Sequence, residues 1–363
     1  MNVMHKGSNG LFKPAVTPTG TTTNGRLRFI AYLQIIGIIL VVFGHSLHEY
    51  PLVKSGKIPL IYGMMYSFRM PLFMFVSGFL MMFTTYSRGK VRGVNEFVKG
   101  KILRLLLPFA VLSLVTFYPR TLMSGMADDA VELSGSSFIK SFFLSDSLVI
   151  PYFWFLQASF LLLTFNYIIL RIGSKAGADY KKTTLLLVIF FFAIPFLSLP
   201  YELNNFFSIG RAIGLGIFFT AGMAYCCYSD KIDRFIPWTS VIFLTASVTV
   251  WAILYFCRQP VACGIAGIIA CVSVAKLLTL REKCFIDHLV GANYIIFLLS
   301  WYFNVLTQQI LSKFVPLPWW VHTLLSLTCG IYIPWLAYRY LKAHPDNKFV
   351  RITAFLLGQN IKK

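Results

Sequence analysis

The stretch IIGIILVVFGHS, residues 35–46, is an uninterrupted apolar run that stops at a histidine. Extended back to Phe29 it is about as long as the 20 or so residues a helix needs to cross roughly 30 Å of hydrocarbon, whereas a barrel strand is about half that length and alternates. Similar runs recur near 59–84, 102–118, 152–170, 183–200, 205–227, 238–256, 261–280, 289–311 and 319–341. These predict an all-α polytopic membrane protein, a bundle of about ten transmembrane helices. Composition agrees: 57% of the 363 residues are hydrophobic and only 13% charged, where soluble domains carry about 25% charge.

Residues 29–341 therefore read as one transmembrane domain. The segment 1–28, rich in Thr and Gly, is too polar for a signal peptide and reads as a disordered cytoplasmic tail; 342–363 reads as a basic cytoplasmic tail. Net charge is +20, which in a soluble chain would suggest nucleic acid. Here most of the 33 Lys and Arg residues fall in the tails and alternate loops on one side, so the positive-inside rule gives N-in and C-in, with contact to anionic lipid and no nucleic-acid partner. The 119–151 loop, with Asp128, Asp129, Glu132 and Asp146, falls outside. Seven cysteines lie in or next to spans with no metal-ligand spacing; they read as structural thiols, with an external Cys257–Cys263 disulfide as an alternative.

None of the 13 acidic residues falls within the hydrocarbon part of a span, which argues against a carboxylate proton relay. The polar groups inside are Gln34, His45, Arg69, Gln157, Asn166, Arg211, Asn293, Asn304, Gln308, Gln309 and His322. Burying an ionisable group there costs several kcal/mol unless it is satisfied, so each is a functional candidate. Arg69 is the deepest cation, about 15 Å along its helix from Pro59. It either binds backbone carbonyls freed by Pro71 or binds an anion or carbonyl of a ligand, since guanidinium is a fixed fork of donors. Gln34 and His45 share a helix face about 16 Å apart. Arg211 lies nearer the edge, within snorkelling reach. Lys99, Lys101 and Arg104 are either topogenic charges or a cradle for donor phosphates; the i, i+3 spacing of Lys101 and Arg104 would put them on one helix face.

Four segments in fixed order, IIGIILVVFGH, SFRMPLFMFVSGFLM, FVKGKILRLLLPF and YFWFLQASFLL, followed by GANYIIFLLSWYF, resemble the integral membrane acyltransferase-3 family, in its fucose 4-O-acetylase-like and exopolysaccharide O-acyltransferase branch. The family's first-span motif, a basic residue and then a His after ten others, appears with Gln34 at the basic position and His45 as the His; Arg28 is a possible stand-in for the missing charge. Arg69 stands where many members have His before MPLF. The family's cytoplasmic R-x-x-R is Lys101-x-x-Arg104 here, and Ser300 stands near where relatives often carry a His.

The resemblance implies O-acylation of a cell-surface glycan or its lipid-linked precursor, with acetyl-CoA or another acyl-CoA as donor substrate, no bound cofactor or metal, and a place in the bacterial inner membrane beside polysaccharide synthesis or export proteins. His45 is the expected general base, because imidazole titrates near neutrality. Arg69 would stabilise the thioester oxygen, Lys101 and Arg104 the CoA phosphates, and Gln34, Ser77, Trp154 and Arg211 are further lining candidates. Donor and base then sit on opposite sides, so either the pantetheine arm threads a tunnel, the preferred route, or a covalent carrier relays the acyl group. The alternatives are a transporter of lipid-linked sugar or polysaccharide, and a non-catalytic partner of a polysaccharide synthase.

Overall fold

A computed structural model describes residues 23–48, 59–122, 134–314 and 318–359, and every regular element among them is helical. The tail before Thr23, the carboxylates Asp128, Asp129 and Glu132, and the last four residues lie outside the described residues. In chain order come α1 (Thr23–His48), α2 (Pro59–Thr84), α3 (Val94–Lys101), a π-helical turn (Ile102–Leu106), α4 (Leu107–Leu122), α5 (Gly135–Phe143), α6 (Trp154–Lys175), α7 (Tyr180–Ala193), α8 (Tyr201–Asn205), α9 (Ile209–Phe235), α10 (Val241–Phe256), α11 (Pro260–Thr279), α12 (Asn293–Phe314), α13 (Trp319–Ala343) and α14 (Lys348–Leu356).

Among the described residues, seven segments are long and apolar enough to cross a membrane: Arg28–Leu47, Tyr62–Thr84, Val94–Thr121, Pro151–Lys175, Ile209–Phe235, Pro260–Thr279 and Trp319–Ala343. The other three apolar runs of the sequence form α7, with 14 residues, α10, with 16, and α12, with 22. Polarity is arranged inside out, as hydrocarbon solvent requires. Gln157, Asn166, Asn304 and His322 are buried, whereas Leu186, Ile189, Ile242 and Ile253 are exposed.

Helix α1 is central, packing against α2, α11, α12 and α13. Its partner α2 packs most extensively on α9, and two glycines explain how closely. A Cβ on Gly78 would overlap the Phe219 carbonyl, and one on Gly222 would overlap the Phe75 carbonyl. Small residues thus let the two backbones meet directly, the usual device where lipid removes the hydrophobic drive for association.

The π turn has a local cause in the sequence LLLPF. Pro108 has no N–H to donate to the Arg104 carbonyl four residues back, and its ring would clash with it. The wider turn accommodates the ring, and the freed Arg104 carbonyl accepts the Tyr294 hydroxyl instead. The Cys257 and Cys263 thiols are both free, so the alternative of a disulfide between them is not realised.

Candidate active site

His45 occupies the last turn of α1, half-buried, with its ring 5.1 Å from that of Tyr152. Tyr152 is itself buried among Phe153, Phe297 and Trp301. Arg69 comes from α2, which runs antiparallel beside α1, and only 4% of it is exposed. Its guanidinium packs against Gly44, the residue before His45, so closely that a Cβ there would overlap Nη1. The glycine of FGH is therefore the space that lets the cation approach the histidine's turn.

The carbonyls freed by Pro71 do not hold Arg69. Its guanidinium carbon lies 4.5 Å from the Tyr66 ring centre and 5.7 Å from that of Tyr62, while Nε and Nη1 are buried with no hydrogen-bond partner. Tyr62 and Tyr66 precede Arg69 by seven and three residues, spacings that put all three on one helix face. Buried N–H groups are almost always paired in native proteins. Walled by aromatic faces, this guanidinium keeps two N–H-bearing nitrogens that the protein's own acceptors leave unused.

From this buried core the site opens outward. Tyr66 is 49% exposed, and the exposed Arg211 on α9 lays its guanidinium 4.6 Å from the ring centre of buried Trp154 on α6. The turn that launches α9 is held by a network centred on Gln157 and Asn205. Ser208 donates to Gln157 at 2.7 Å, Gln157 donates to the Phe142 carbonyl at 2.9 Å, and Ser145 donates to Asn205 at 2.8 Å. Gln157 is thus a structural clamp. The Tyr201 hydroxyl donates to Asp146 at 2.6 Å and, together with Asn205, holds that carboxyl below the ordinary carboxylate range. Gln34 and Ser77 are both half-buried, on α1 and α2.

Lys101 and Arg104 lie at the other end of the bundle, and the π turn that carries Arg104 changes the α-helical register expected from their spacing. Turns closed i→i+5 are wider than 3.6 residues. Lys101 is half-buried with its ammonium 4.9 Å from the Phe97 ring centre, while Arg104 is exposed with its guanidinium 5.7 Å from that of Tyr294. Arg28 does not stand in for a charge at position 34. Its Nε donates to Tyr32 at 2.7 Å, its Nη2 donates to the Glu282 carbonyl at 2.6 Å, and it lies 3.6 Å from Asp287. Asp287 in turn accepts Tyr32 at 2.6 Å and the Cys284 N–H at 2.8 Å.

With His45 and Arg69 on adjoining turns at one end and two basic side chains at the other, residues 27–339 match the family model described as an acyltransferase domain. The chain belongs to the acyltransferase-3 family. Neither the curated proteins nor the solved structures provided a significant match. The family, together with seven membrane-length apolar helices, makes this an integral membrane acyltransferase. Sequence reasoning singled out His45 and Arg69 but missed Gly44, Tyr62, Tyr66 and Tyr152, although the helical spacing of the two α2 tyrosines was there to be read.

Proposed function

We propose that this acyltransferase moves an acetyl group from acetyl-CoA to a hydroxyl of a cell-surface glycan or its lipid-linked precursor, at the cytoplasmic membrane of a bacterium. The observation that carries the reading is Arg69, buried, walled by Tyr62 and Tyr66, with Nε and Nη1 unpartnered beside the turn that bears His45.

The chemistry follows from those two groups. The acceptor hydroxyl is a poor nucleophile at neutral pH, so His45 takes its proton as the oxygen attacks the thioester carbonyl carbon. Negative charge develops on the carbonyl oxygen, where the Arg69 N–H groups donate; preorganised donors of this kind are worth about 10²–10³ in rate. Collapse of the intermediate forms the ester and breaks the carbon–sulfur bond. The departing thiolate recovers the proton from the imidazolium as CoA thiol. Lys101 and Arg104 hold the donor's phosphates at the far end, and the pantetheine arm spans the bundle between the two ends. Arg211 and Trp154, beside the exposed Tyr66, line the acceptor's approach with the aromatic and guanidinium surface that sugars pack on.

The test compares base-labile acetyl esters on the surface glycans of cells making the native protein, His45→Ala at matched membrane abundance, and no protein. Loss of esters in the last two strains, with export unchanged, supports the proposal. Unchanged esters with altered glycan export would replace it with the transporter reading.

A further inference from the structure

His45 sits three residues from the end of α1, where the final carbonyls of a helix have no intrahelical donor and the chain frays. A base on such a turn needs an external hold. Two amides of α12, one helical turn apart, supply donors to it. Asn304 Nδ2 donates to the Val42 carbonyl at 3.2 Å, and Gln308 Nε2 donates to the Ser46 carbonyl. Val42 and Ser46 flank His45 on either side. The Ser46 hydroxyl also closes back on the Val42 carbonyl at 2.9 Å, and Ser326 of α13 braces Gln308 at 3.4 Å.

This hold is costly in ways a purely structural contact would avoid. Asn304 is fully buried and Gln308 is 6% exposed, yet Asn304 Oδ1 and Gln308 Oε1 have no hydrogen-bond partner. An orphaned buried carbonyl loses its hydration without a replacement partner, and apolar residues of similar volume would escape that cost. Gly330 on α13 is consumed by the same arrangement, since a Cβ there would overlap Asn304 Oδ1. Two amides and a glycine on two helices thus converge on the turn that carries the base.

We infer that Asn304 and Gln308 are positioning residues that fix the His45 turn for proton transfer, acting on the base and not on the acyl donor; this rests on His45 being the base. The test measures CoA thiol release from acetyl-CoA by membrane vesicles of the native host, which carry the host's own acceptor, across pH. The enzymes compared are the native protein, Gln308→Met, Asn304→Leu and His45→Ala, each at matched membrane abundance. Gln308→Met keeps the side-chain length and loses the donor. We expect kcat to fall about tenfold in Gln308→Met and Asn304→Leu, KM for acetyl-CoA to stay within about twofold, and the acid limb of the kcat profile to move. Native kcat and pH profile in both variants, or KM rising in step with the loss of kcat, would overturn the inference while an inactive His45→Ala leaves the base reading standing. An active His45→Ala would overturn that reading and the inference with it. Should one substitution prevent accumulation of the protein, the other decides by the same two outcomes.

Discussion

Gly44 shows how one atom's space can decide chemistry. Adding a methyl at this position meets only the far end of the Arg69 side chain, which is flexible, and no backbone. The fold should therefore tolerate Gly44→Ala while the guanidinium is pushed off its station. We predict near-native membrane abundance and at least a tenfold loss of acyl ester formation, with Arg69→Lys losing on the order of a hundredfold because an ammonium cannot reproduce the fork. Ester quantification at matched abundance checks both; a Gly44→Ala protein with full activity would show that Arg69 does its work elsewhere. At this scale the sequence was partly legible. A histidine at the end of an apolar run and an arginine deep in the next are visible as anomalies against hydrocarbon, but their meeting through Gly44 depends on how two helices rotate about their axes, which apolar runs do not encode.

Helices obey the same division. The long runs in α1, α2, α6, α9, α11 and α13 could be read directly, because length and hydropathy are local quantities. The π turn could not be read from periodicity, though its cause, Pro108 four residues after Arg104, stood in the sequence, and its consequence is that Lys101 and Arg104 depart from α-helical register. Nor could the lock between α1 and the connection before α12, where Asp287 accepts the Cys284 N–H and the Tyr32 hydroxyl, since Tyr32 lies 255 residues from Asp287 in the chain. That lock carries a pH dependence. The Cys284 N–H and then the Tyr32 hydroxyl hold the Asp287 carboxyl below its ordinary range, with Arg28 contributing. A depressed carboxylate binds fewer protons folded than unfolded, so its contribution to stability is complete above an ordinary Asp value of about 3.9 and fades as pH falls through the lower folded value. Melting of detergent-solubilised protein should accordingly separate native from Asp287→Asn at pH 7, and the gap should close on acidification below about pH 4. A gap that persists unchanged at low pH would mean the asparagine is disturbing packing and not removing charge.

At the scale of the whole molecule, the proposed function requires the two ends of the bundle to face different compartments. Seventeen residues of α1 separate Arg28 from His45, about 25 Å of helix. Arg28, Arg104 and Tyr294 gather at one end; His45, Arg69, Tyr66 and Arg211 gather at the other. Under the proposed function, the donor's phosphates would meet the basic end, and the glycan the end where aromatic and guanidinium groups are exposed. The proposed function requires the basic end to face the cytoplasm, the side expected from the charge distribution in the loops. The native cysteines offer a direct test, because Cys257 is exposed at the C-terminus of α10, whose N-terminus follows the basic-end turn after α9, whereas Lys99 is exposed on α3 at the basic end. A membrane-impermeant maleimide applied to intact cells or spheroplasts should label Cys257, and a control Cys257→Ser protein should lose that label. In a Cys257→Ser, Lys99→Cys protein the new thiol should react only after the membrane is opened. Labelling of position 99 from outside would place the Lys101 and Arg104 segment on the same side as the glycan. Acetyl-CoA would then have no access to it from the cytoplasm, and the division of labour between the two ends would have to be abandoned.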